Sequence, residues 1–284
     1  MDGTAISLHL IKLSADNSSP ESYDIDYITF VVETICDFIQ HAVEGFLHTH
    51  PHPSSVKSVN LRELNVVEQV IVHHEVSDLM NLLKQLRQKT GYHVCFLRGC
   101  RDTVPSLFES GVAVVPLPEL HGHHYKEILS QNSHDNLSSL GFAAGAALHE
   151  IGHLLGAFHS SHGVMSERPN AIKILRIRMS GHTEGLPDCF FDNYSLCLFA
   201  HGPFFNEPVD RPVYSPVLFK ASDREVFLKC KDGILIVVII KDTAYRDLQI
   251  FDTLQTSAKL NIEERNWDLI QVYTAFYKVQ HITK

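Results

Sequence analysis

No stretch of this sequence is long and apolar enough to suggest a membrane span. The longest apolar run, Ile234 to Ile240, falls far short of the roughly 20 residues that a spanning helix needs. The first segment, Met1 to Leu13, has no basic region leading into an apolar stretch and a small-residue cleavage site, so an intracellular, cytoplasmic protein is expected. Basic residues are in deficit: 24 Lys and Arg stand against 33 Asp and Glu, a formal net charge of −9. That balance argues against a general nucleic-acid binder, which needs a surplus of cations to displace counterions from phosphates. Cysteine is sparse as well. Cys36, Cys95, Cys100, Cys189, Cys197 and Cys230 are widely scattered, and no CxxC pair occurs among them. A disulfide scaffold is excluded on that count, and reduced, buried or half-buried thiols are expected. There is no internal repeat and no low-complexity segment.

What is present is an ordinary globular balance, 44% hydrophobic and 20% charged over 284 residues. The length suits one large domain, or one of about 180 residues with a smaller appendage. The unusual feature is 19 histidines. They cluster at His48, His50 and His52, at His73 and His74, at His121, His123 and His124, and between His149 and His162.

The patterning predicts an α/β (α+β) chain. Ile6 to Leu13 alternates like a strand, and Ser14 to Ser22 has loop composition. From Asp24 to Leu47 the apolar residues Ile28, Val31, Val32, Ile35, Phe38, Ile39, Ala42 and Phe46 recur at helical spacing. The prolines of His48 to Pro53 end that helix. Val66 to Val72 predicts a strand, Ser77 to Lys89 a helix closed by Gly91, and Tyr92 to Leu97 and Gly111 to Leu117 two further strands. The expected layout is helices on a mixed sheet, residues 1–200 forming this domain. Past about residue 200, Val213 to Phe219, Glu225 to Cys230, Ile234 to Ile240 and Leu269 to Phe276 read as successive strands. Residues 201–284 are thus a β-rich C-terminal region, small for a closed sandwich and incomplete in that sense.

The stretch that carries chemistry is Leu148 to Met165, LHEIGHLLGAFHSSHGVM. On a helix, His149 and His153 are four apart, so their imidazoles share a face and can share a tetrahedral metal. Glu150 lies beside that face and can reach a water on the metal. Phe142, Ala146, His149, Glu150, His153 and Gly156 form one side of the predicted helix. Leu140, Ala144, Ala147, Leu148, Ile151, Leu155 and Phe158 form the other, so one side should meet the core and the other a cleft. A straight helix would not return residue 159 to the metal. Gly156 can take φ > 0, end the helix and let the chain bring His159 round. Three nitrogens with a fourth position left for water is the arrangement of a catalytic zinc, one per chain, with Glu150 accepting the proton of the attacking water. Five fixed positions should co-occur by chance in roughly one such sequence in several thousand.

His149-Glu150-x-x-His153-x-x-Gly156-x-x-His159 with a methionine soon after resembles the metzincin clan of zinc peptidases. The resemblance is dense over about Gly111 to Pro169. Within the clan, the wording HEIGHLLGAFH and GVMS is similar to a group of intracellular, fungal-type metallopeptidases whose longer members carry a β-rich, lectin-like C-terminal domain. The resemblance implies that Met165, in Gly163-Val164-Met165-Ser166, belongs to a Met-turn and forms a hydrophobic floor under the imidazoles. It also implies a sheet edge that pairs with extended substrate, for which Gly111 to Leu117 is the candidate.

Alternatives stand beside these readings. His162, Glu167 or Glu184 could replace His159 as third ligand, and Met165 could merely fill a core gap. His121 to His124 reads better as a solvated loop leading into the metal helix than as a second site. The expected function is a zinc-dependent endopeptidase acting on protein or peptide, with no nucleic-acid or membrane partner. A zinc-stabilised binding or scaffold protein is the rival, and hydrolysis of a non-peptide amide or ester would use the same chemistry.

Overall fold

The computed structural model describes residues 5–13, 20–49, 64–98 (without 65, 68, 75 and 77), 107–131 (without 110), 134–166, 190–206, 214–220, 225–262, 266–275 and 278–283. These form two compact units. The arrangement is mixed α and β, with parallel and antiparallel pairing and a β-rich C-terminal part, as the patterning predicts.

One unit is built on a five-stranded sheet of order β2-β1-β3-β5-β4. Its strands are β1 (Ile6–Lys12), β2 (Ile71–His73), β3 (Tyr92–Arg98), β4 (Leu107–Glu109) and β5 (Val112–Pro116). All pairs are parallel except β4 with β5. The alternation in Ile6–Lys12 is incomplete because both faces of the sheet are covered: Leu8 and Leu10 are as buried as Ile11. α2 (Leu79–Arg87) covers one face, its Leu83 and Leu86 packing with Ile11, Cys95, Leu97, Val112 and Val114. Asp78 caps that helix, accepting from the Asn81 amide at 3.0 Å.

α1 (Glu21–Thr49) is longer at both ends than its apolar periodicity indicates. It buries Ile28, Val31, Val32, Ile35 and Ile39, and Asp24 forms a buried ion pair with Arg98 at the end of β3. Tyr27 Oη donates to the carbonyl of Leu140, in the metal helix, at 3.1 Å.

Three expectations are corrected here. Val66 to Val72 is not one strand: Val66 makes an isolated bridge to Ile6, and regular pairing begins only at Ile71. Gly111 to Leu117 is not a sheet edge, since β5 pairs with β3 on one side and β4 on the other; among the described residues β2 and β4 are the edges. The three-residue β4 is too short for its periodicity to stand out. The histidines 121 to 124 lead into an unforeseen short helix, α3 (Tyr125–Gln131), and not directly into the metal helix.

The other unit carries the second sheet: β6 (Val217–Lys220), β7 (Val226–Lys241), β8 (Ala244–Leu260), β9 (Leu269–Thr274) and β10 (Val279–Thr283). The long β7 pairs with β8 along one side, and with β6 and then β9 along the other. The stretches Glu225 to Cys230 and Ile234 to Ile240 are therefore one strand. Gly233, at φ +81°, marks an irregularity within it and not a chain reversal. β8 escapes detection because Leu248, Ile250, Phe251 and Leu254 are interrupted by charged and polar residues and form no continuous apolar run. Val226, Leu228, Cys230, Val237, Ile239, Leu260, Trp267, Ile270 and Val272 belong to its core. A further helix, α5 (Asn193–His201), begins at the Asp192 cap. Cys95, Cys197 and Cys230 are buried and Cys36 is half-buried, all as free thiols. Among the described residues, no helix is long and apolar enough to cross a membrane.

Candidate metal centre

The metal helix, α4, runs from His134 to Leu154. Its central residues are small and apolar, which lets it approach its neighbours closely, and it packs against β5. The expected division into a core face and an open face holds only at the C-terminal end, where His153 and Gly156 are half-buried. Further back along the helix, Ala146 and Glu150 are buried like Ala147, Leu148 and Ile151. His149 is 7% exposed and Glu150 3%. His153, at the last turn, is half-buried.

Gly156 ends the helix as its sequence position suggests. Its φ is +103°, and a Cβ there would lie 3.2 Å from the Tyr273 hydroxyl. Both facts demand glycine. The chain turns, and His159 follows in extended conformation, bridged to Ala244.

The ligand nitrogens of His149, His153 and His159 lie within 4.8 Å of one another. Their protonation can be worked out for His149. Nδ1 is 2.8 Å from the Val164 carbonyl oxygen, which can only accept, so the neutral ring carries its proton on Nδ1 and its lone pair on Nε2. That Nε2 is 3.1 Å from His153 Nε2, with the two rings nearly perpendicular at 88°. Tetrahedral zinc with bonds of 2.0–2.1 Å sets its ligands about 3.3 Å apart. The two imidazoles thus stand close to a metal-bridged spacing, and a backbone carbonyl orients one of them from behind. The residues fit a metal ion held by three histidines.

The surroundings are built from the turn after the helix. Met165 is fully buried and lies against Gly152, where a Cβ would come within 2.6 Å of its sulfur and 3.2 Å of Phe191. The Val164 amide donates to the Phe190 carbonyl at 2.8 Å. This holds the carbonyl of Val164 where His149 can reach it.

The His159 segment is held by the β7–β8 turn. Its amide donates to the Thr243 carbonyl at 3.2 Å, and its carbonyl accepts from the Tyr245 amide at 3.4 Å. His159 Nδ1 lies 3.2 Å from Thr243 Oγ1. The Phe158 amide donates to Tyr245 Oη at 2.9 Å. Burial pushes the Tyr245 phenol well above its ordinary pKa, against a smaller opposing effect of a hydrogen bond with Ser195, so the hydroxyl keeps its proton.

Of the other residues that the sequence singles out, His162 contacts Ser161 and does not join the three-histidine group. Glu167 and Glu184 lie outside the described residues. His123 meets Glu127 at 3.3 Å at an exposed position, and the half-buried His124 meets Asp26 at 3.1 Å. Thr243, Tyr245 and Tyr273 carry no local signal. Thr243 and Tyr245 are 84 and 87 residues from the groups they contact.

No protein-family model matches the chain, and no curated protein matches it.

Proposed function

We propose that this chain is a zinc-dependent endopeptidase of the metzincin type, with His149, His153 and His159 holding the metal and Glu150 as general base. The observation that carries the reading is the convergence of the three histidines within 4.8 Å, with a buried carboxyl on the helix turn between the first two.

When bound, zinc polarises a carbonyl and makes an attacking water more acidic. The chain's own groups do the rest. The Val164 carbonyl holds His149 in the tautomer that offers Nε2. Glu150, next to His149, accepts a proton from the attacking water and returns it to the leaving amine, a role worth typically 10²–10⁴-fold in rate. Its burial, 3% exposed, keeps bulk water from the carboxylate. Burying a carboxyl costs stability, and a protein that kept zinc only as a staple would gain nothing from that cost. This favours the enzyme over the scaffold.

The test is zinc content by elemental analysis of the wild type and of His153→Ala and Glu150→Gln variants, together with cleavage of a quenched-peptide library. About one zinc per chain is expected, lost in His153→Ala and retained without cleavage in Glu150→Gln. Zinc at full occupancy with no hydrolysis of any peptide would favour the scaffold reading. A wild type without zinc would end both.

A further inference from the structure

The turn between β7 and β8 is more costly than it needs to be. Lys241 pairs with Ala244, so Asp242 and Thr243 make a two-residue hairpin loop, with φ of +52° and +61°. Positive φ at both positions is the geometry that favours Asn or Asp followed by Gly. Asp242 suits its place. Thr243 does not: a β-branched residue at positive φ is a genuine outlier, and glycine would sit there without strain. Packing does not account for it either, because Thr243 is exposed. The backbone bonds to the His159 segment would survive any side chain. What only the side chain supplies is a hydroxyl 3.2 Å from His159 Nδ1.

We infer that Thr243 is a positioning residue for the third metal ligand. With Nε2 offered to the metal, Nδ1 carries the ring proton and Thr243 Oγ1 accepts it, which stops the ring from turning about χ2. It positions the His159 ring from behind, as the Val164 carbonyl positions that of His149. Strain at a β-branched turn residue is thereby exchanged for a preset imidazole, and strained backbone of this kind concentrates at functional sites. Loss of such an outer partner typically weakens metal binding 10–100-fold. The inference rests on the metal centre proposed above but not on any catalytic activity.

The experiment measures zinc affinity by competition with a fluorescent chelator, and thermal stability in the metal-free state, for wild type, Thr243→Val, Thr243→Ser and Thr243→Gly. Valine keeps the branch and the strain but removes the hydroxyl, and about 10–100-fold weaker zinc binding is expected. Serine keeps the hydroxyl and should restore affinity to within about threefold of wild type by the same argument. Glycine relieves the strain, so its metal-free melting temperature should equal or exceed that of wild type while its zinc affinity falls as valine's does. A turn residue without this role would show the same gain in stability with glycine but leave zinc affinity unchanged in both the glycine and the valine variants. Zinc bound equally by wild type and Thr243→Val overturns this inference alone. A wild type that takes up no zinc overturns the metal centre and this inference with it.

Discussion

Gly152 and Met165 approach so closely that a single methyl group on the glycine would lie 2.6 Å from the methionine sulfur. Gly152 lies between the two helix histidines, and Met165 follows the residue whose carbonyl orients His149. The fit of these two residues therefore bears on the ligand geometry as well as on packing. An alanine at 152 would gain about 1 kcal/mol of helix propensity. Overpacking costs ~1–3 kcal/mol, and the fully buried Met165 has Phe191 beside it. Gly152→Ala is expected to destabilise the chain on balance, and the same change should cost less in a Met165→Ala background, where the contact is gone. Urea unfolding of the four-member cycle measures this; an alanine variant more stable than wild type would show that the contact is loose.

Zinc should stabilise the folded chain, because the three ligands converge only when it is folded. At a free concentration about 100 times the dissociation constant the gain is about 2.7 kcal/mol. The resulting rise in melting temperature should be absent in His153→Ala and in His159→Ala. A rise that persists in both variants would mean that the metal binds elsewhere.

Gly156→Ala tests the helix stop. A Cβ there is strained at φ +103° and meets the Tyr273 hydroxyl at 3.2 Å. A penalty of ~1–3 kcal/mol is expected, accompanied by weaker zinc binding, since His159 is reached through this turn. Unchanged affinity in a folded variant would separate the turn from the ligand.

Three histidines away from the metal centre predict an acid sensitivity. His9 on β1 has both ring nitrogens engaged, with His73 Nε2 at 2.9 Å and His93 Nδ1 at 3.0 Å. Burial, then repulsion from His93 and His73, pushes the His9 pKa down to about 3 from 6.5. Burial lowers those of His73 and His93 as well, with Lys89 adding to the effect on both. Below pH 6.5 the unfolded chain thus takes up protons that the folded chain does not. The stability they contribute is fully present above pH 6.5 and is lost as the pH falls towards 3. In chelator, the urea midpoint of wild type should drop between pH 7.5 and 5.0, and that of His9→Gln should drop less. Equal slopes in the two proteins would remove His9 from the account.

The metal-helix segment was legible because its constraints are local. A four-residue spacing puts two histidines on one face, and a glycine three residues later stops the helix; neither depends on the rest of the chain. The long apolar periodicity of α1 and the short apolar runs of β1, β3 and β5 were readable for the same reason. Boundaries were less so: β7 was divided at Lys231, Asp232 and Gly233 because turn-forming residues there mark an irregularity, not a reversal.

The sequence by itself determined that His149 and His153 share a helix face, that Gly156 can end that helix, and that the chain combines a mixed sheet with a β-rich C-terminal region. Only the tertiary structure decided that His159 and not His162 meets them, that β5 is interior to its sheet, and that Thr243, 84 residues away, reaches the His159 ring. The physical reason is the range of the interactions. Helical periodicity and glycine φ act over a few residues and leave a mark in sequence. A hydrogen bond between distant segments depends on the register of β7 with β8 and the path of the chain after Gly156, which no local pattern encodes.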